Sequence, residues 1–178
     1  MKPKMLIIDD EIENVNIFSL QYGAKWDVVG ILSPHDLLSR AFFIRDSHPD
    51  IIFLDLLFEQ DVPKQESNIR TKFESDNILG IKFLDFIQYY MGTVPVIVMS
   101  GIIYPFIWDH IKKRYPYVKC LSKPYDVTSA TFEKQILVYS KGYYQHRMDM
   151  ISRDLAPSPS KIFTDNDFKM FKADFLKT

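Results

Sequence analysis

The 178-residue chain contains a single cysteine, Cys120. An internal disulfide is therefore excluded, and with it the small disulfide-stapled secreted folds. Charge of one sign is equally lacking, since 22 Lys and Arg stand against 23 Asp and Glu. Nothing in that balance draws the chain to nucleic acid or to an anionic membrane. No charged-then-apolar leader opens the sequence, because the apolar run 5–8 is too short for one. With a lone thiol and no leader, a cytoplasmic location is the expectation. An unbroken apolar stretch of membrane-spanning length is missing too. Residues 86–108 carry no formal charge, but Gly92, Pro95, Gly101 and Pro105 interrupt them. They divide better into a helix end, a buried strand and the start of another helix.

What is present is an alternation. Apolar or β-branched runs at Lys4–Ile8, Asp27–Leu32, Ile51–Leu57, Val94–Met99 and Val118–Ser122 predict five strands. Between them, helix-like periodicity predicts helices over 12–22, from Ser33-Pro34 to about 47, over Gly80–Met91, over 103–115 and, last, over 127–150. In the first helix the apolar positions are Ile12, Val15, Ile17, Phe18 and Leu20. Strand and helix in turn argue for an α/β protein with a doubly wound, five-stranded parallel sheet and helices on both faces. Residues 59–77 are polar and charge-rich and read as a loop. Beyond 150, Ala156-Pro-Ser-Pro-Ser160 reads as a linker, and Thr164 could cap a short helix carrying Phe168, Phe171 and Phe175.

One residue is out of place in this pattern. The run IIFLDLLF at 51–58 suits a strand buried on both faces, yet it contains Asp55. An ionised carboxylate there is costly without a partner. In an open parallel sheet, ligands bind beyond the carboxyl ends of the strands. Those ends carry Asp9 and Asp10, Asp55, Ser100-Gly101 and Lys123-Pro124. Carboxylates brought together repel one another, and a hard divalent cation relieves them; oxygen ligands with room for water suit Mg²⁺. A lysine and a hydroxyl beside such a cation suit an anionic oxygen ligand such as phosphate. His35, His48, His110 and His146 show no metal-ligand spacing, and Lys112-Lys113-Arg114 reads as a solvated helix end.

The ordered set LIIDDE, IIFLDLLF, VIVMSG and LSKP resembles the receiver domain of bacterial two-component response regulators, over about residues 4–150. The resemblance implies a flavodoxin-like receiver at 1–150, with residues 151–178 as linker and tail. It implies that Asp55 accepts a phosphoryl group from a histidine kinase or phosphotransfer protein. Asp9, Asp10, Asp55 and the backbone carbonyl of Leu57 would hold Mg²⁺. Ser100, Gly101, Lys123 and Leu56 would contact the phosphoryl group, and the bond preceding Pro124 would be cis. The domain would catalyse its own phosphorylation and dephosphorylation without being an enzyme in the usual sense. Output would pass to an unknown downstream protein. The residues after 150 are too few for a familiar DNA-binding domain, so no direct DNA binding is expected.

The sequence departs from the family in three places. Residues 59–77 lie between the acceptor and Gly80, the glycine that opens the next helix, and look like an insertion beside the site. Cys120 stands where an aromatic often precedes the lysine by three residues, although Tyr104 and Tyr117 are near in sequence. Leu57, two residues after the acceptor, cannot orient a water, which suggests slow self-hydrolysis. Two other functions compete with the phosphoacceptor. One is a degenerate receiver that binds partners without phosphorylation. The other is a phosphohydrolase of the haloacid-dehalogenase kind, which wants D-x-D on the first strand where this chain has D-D. Phe132, Ile136, Tyr139 and Tyr143 follow a 4-3-4 spacing that fits either a homodimer seam or packing on the sheet.

Overall fold

The computed structural model describes residues 2–33, 49–58, 78–91, 94–101, 104–115, 118–123 and 127–140. Within them run β1 (Lys4–Ile8), α1 (Ile12–Tyr22), β2 (Asp27–Ile31), β3 (Ile51–Asp55), α2 (Leu79–Met91), β4 (Val96–Ser100), α3 (Pro105–Arg114) and β5 (Lys119–Ser122). A last helix, α4, covers 130–140. All pairings are parallel and the strand order is β2-β1-β3-β4-β5. The expected doubly wound sheet is therefore present. The helix expected from Ser33-Pro34 to about 47 falls, after Ser33, outside the described residues, as do the insertion at 59–77, residues 141–150 and the tail.

The residues of the central strands explain the layering. Every side chain of β3 and β4 is buried, as are four of the five in β1. Successive side chains of a strand point to opposite faces, so each apolar run feeds two cores. On one face Leu6, Ile8, Ile52, Leu54, Val96 and Val98 meet the apolar sides of α2 and α3. On the other, Met5, Ile7, Ile51, Phe53, Ile97 and Met99 meet Phe18 and Tyr22 of α1 and Phe132 and Ile136 of α4. The edge strands are less buried and carry polar residues, as half-covered edges should.

Several boundaries differ from the sequence reading. β3 ends at Asp55, not Leu57, although Leu56, Leu57 and Phe58 stay buried. β4 is shifted to Val96–Ser100, with Pro95 contributing only its carbonyl to Ile52 N–H at 3.0 Å. The last helix begins at 130 after a turn, and the Ser129 hydroxyl accepts the Phe132 N–H at 3.1 Å as an N-cap. Val127 is buried but not helical. In α1, Phe18 and Tyr22 point inward while Ile12, Ile17 and Leu20 are exposed, so its buried face is narrower than the sequence suggested. Pro105 sits in the first turn of α3, where its missing N–H has no consequence. No helix among the described residues is long and apolar enough to cross a membrane.

Candidate functional site

The parallel register aligns the strand ends. Ile8 pairs with Leu54, so Asp9 and Asp55 follow side by side at one edge of the sheet. Asp55 pairs with Met99 and Ser100 with Ser122, which places Ser100 and Lys123 at the same edge. Lys123 N–H donates to the Ser100 carbonyl at 2.7 Å, tying the ends of β4 and β5 together. Tight packing from below fixes the Asp55 loop. A Cβ on Gly80 would lie 2.3 Å from the Leu56 carbonyl oxygen, so only glycine lets α2 approach this backbone.

Three carboxylates and one ammonium converge here. Lys123 Nζ lies 2.9 Å from Asp9 Oδ2 and 2.9 Å from Asp55 Oδ2. Asp9 is completely buried and Asp55 is 5 % exposed, so neither charge is carried by bulk water. Asp9 Oδ1 accepts the Glu11 N–H at 3.0 Å, and Asp9 Oδ2 also accepts the Asn14 side-chain amide at 2.9 Å. Asp55 Oδ1 accepts the Leu57 N–H at 3.3 Å. Asp10 is half-buried, and one carboxylate oxygen each from Asp9, Asp10 and Asp55 lie within 4.8 Å of one another.

The electrostatics follow from burial and imbalance. Burial pushes the Asp55 carboxyl up to about 6; Lys123 and the Leu57 amide pull it down, while Asp9 adds to the rise. For Lys123, burial works against the charged form, but Asp55 and Asp9 together hold the ammonium above the ordinary lysine range. Among the described residues, Lys123 is the ammonium bonded to both Asp9 and Asp55. Hard oxygen donors so close, two of them out of water, fit a small divalent ion.

Asp9, Asp10, Asp55 and Lys123 are thus brought together. Ser100 is fully buried at the end of β4, and Gly101 is exposed, with open space where a Cβ would stand. Leu56 departs from the expectation: its N–H donates to the Met99 carbonyl at 3.0 Å, prolonging the ladder, and the amide facing Asp55 is that of Leu57. The Leu57 side chain packs into the core. Asn14 escaped the sequence reading, since a lone asparagine in a helix's first turns carries no pattern. Cys120 is half-buried, and burial pushes its thiol up to about 11 against the pull of Lys112, which leaves it protonated at neutral pH. Pro124 and Tyr117 lie outside the described residues. Tyr104 is partly buried against the core beside Phe106.

No family model and no curated protein matches the sequence. Solved structures do. The signal receiver domain of a Luxo repressor protein from Vibrio parahaemolyticus superposes with a TM-score of 0.59 at 16% identity, over 83% of this chain and 97% of that one. A response regulator from Thermotoga maritima gives 0.54 at 14% identity, over 79% and 99%. The receiver domain of a DNA binding response regulator from Colwellia psychrerythraea gives 0.56 at 18% identity, over 79% and 99%. At such identities the likeness is one of architecture, and it agrees with the strand order and with the two-sided helix layering. The chain has the fold of a response-regulator receiver domain.

Proposed function

We propose that this domain is a phosphoacceptor signalling module in which Asp55 takes a phosphoryl group from a histidine kinase or phosphotransfer protein. The observation that carries this reading is Lys123 bonded at 2.9 Å to both Asp55 and Asp9, inside an acidic cluster at the carboxyl edge of a receiver-fold sheet. An Asp55 oxygen attacks phosphorus in line. The new P–O bond forms as the P–N bond to the donor imidazole breaks, and the imidazole nitrogen leaves with the electron pair. Lys123 already touches the nucleophile's carboxylate and is placed to follow charge onto the transferred oxygens. The Leu57 amide, the Ser100 hydroxyl and the backbone at Gly101 supply donors around the same edge.

Asp9, Asp10 and Asp55, with the Leu57 carbonyl, would hold Mg²⁺, whose chemistry there is to neutralise the carboxylates and the incoming phosphoryl oxygens. With no polar side chain above the carboxylate at Leu57, the acyl phosphate is expected to hydrolyse slowly. The phosphorylated surface would pass the signal to a protein partner in the cytoplasm, with turnover confined to the domain's own phosphorylation and dephosphorylation.

Intact mass after incubation with Mg²⁺ and acetyl phosphate tests the proposal. The expected result is one added phosphoryl group, absent in EDTA and absent in Asp55→Asn. A folded protein that binds Mg²⁺ yet gains no adduct from acetyl phosphate or from any kinase would overturn it, in favour of partner binding without phosphorylation.

A further inference from the structure

Asp9 is the most deeply buried carboxylate of the cluster, and its partners are unequal. The Glu11 amide is a fixed backbone donor to Oδ1. Lys123 is shared with Asp55, so its hold on Asp9 Oδ2 weakens whenever it follows charge toward Asp55. The third donor is Asn14. Its amide nitrogen gives one hydrogen to Asp9 Oδ2 at 2.9 Å and another to Glu11 Oε2 at 2.8 Å. Both hydrogens of that nitrogen are therefore committed, which fixes the plane of the amide.

We infer that Asn14 is the positioning residue of the acidic site: it pins Asp9 in its rotamer and keeps that buried charge partnered when Lys123 turns to Asp55. The same amide holds the Glu11 carboxylate beside α1 without letting it move into the cluster. Asn14 meets neither the phosphoryl group nor Lys123 in this role; it acts through Asp9. Its place on α1, three residues past the loop, gives it a rigid support that a loop residue would lack. A side chain one step removed from a metal-binding carboxylate typically matters about 10-fold or more to metal affinity when it is lost.

This inference rests on the Mg²⁺ site proposed above, and titration calorimetry with Mg²⁺ alone separates the two. Asn14→Ala places a better helix former in α1, so the fold is retained while the donor is removed. The expected result is a Kd for Mg²⁺ raised about tenfold. Asn14→Gln keeps a donating amide and is expected to recover most of the loss, which a purely structural role of the position would not produce. Wild-type binding with Asn14→Ala equally tight would overturn the positioning role alone. Asn14→Gln as weak as Asn14→Ala, with both folded, would also overturn it. No binding by the wild type would overturn the metal site and this inference together.

Discussion

Asp55 is held in a setting that favours its protonated form. Its carboxyl is raised by burial to about 6, above the 3.8 of an ordinary aspartate. In the metal-free protein, the folded state therefore binds this proton more tightly than the unfolded chain does. Stability from this source is complete below pH ~4 and is lost as pH rises through 6, to a total of about 3 kcal/mol. The rise at Lys123 acts only near the alkaline limit, because that lysine stays charged throughout this window. Asp55→Asn removes the ionisation. In EDTA at pH 7.5 the variant is expected to be more stable than wild type by about 1–3 kcal/mol in urea unfolding, and the advantage should fall to roughly half by pH 5 and vanish below pH ~4. Added Mg²⁺ should narrow the gap by stabilising the wild type more than the variant. A variant less stable than wild type at pH 7.5 without metal would show that the Lys123 ion pair outweighs burial. At this scale the site was partly legible. Asp55 stood out as a charge in an apolar run, and the sheet rule collected its partners. Asn14 and the exchange of Leu56 for Leu57 as the facing amide depend on side-chain and ladder geometry, which no spacing encodes.

Among the elements, interiors were legible and ends were not. Two-sided burial makes the central strands continuous apolar runs, which is why β1, β3 and β4 could be read directly. Hydrophobicity reports burial, however, and not backbone angles. Leu56 to Phe58 and Val127 are buried outside regular structure, so the apolar pattern extends β3 past its true end and starts α4 before its first turn. Gly80 shows the opposite case, a single letter with a strict structural meaning. A Cβ at Gly80 would overlap the carbonyl oxygen, Cα and carbonyl carbon of Leu56, all backbone atoms that cannot rotate away. Gly80→Ala is expected to cost roughly 1–3 kcal/mol, the usual range for overpacking. Gly101→Ala meets nothing within 4 Å and should fall within about 0.5 kcal/mol of wild type. Urea midpoints of the two variants check the contrast; equal effects would mean that α2 can shift away from the Asp55 loop at little cost.

For the whole molecule, the sheet must be covered on both faces, and this decides what the seam on α4 is used for. The rings of Phe18, Tyr22 and Phe53 lie 6.3, 6.5 and 6.1 Å from that of Phe132, and Ile136 is buried in the same cluster. Tyr139 packs against it and donates its hydroxyl to the Val96 carbonyl at 3.2 Å. These residues face inward, so the 4-3-4 spacing through Tyr139 records packing on the sheet and not a surface for a second copy; Tyr143 lies outside the described residues. The sequence could not choose between the two, because an apolar stripe at helical spacing looks the same whichever partner covers it. The energetics can. Phe132→Ala empties a site in the core beneath α1 and α4, and the expected loss is about 3–5 kcal/mol. In a seam between copies, the loss would appear as a unfolding midpoint that moves with protein concentration in wild type and not in the variant. In a core, both proteins keep midpoints that do not depend on concentration, and only their positions differ. Urea unfolding at two concentrations a hundredfold apart therefore separates the uses, and the inward contacts of Phe132 predict that Phe132→Ala lowers the midpoint without changing its concentration dependence.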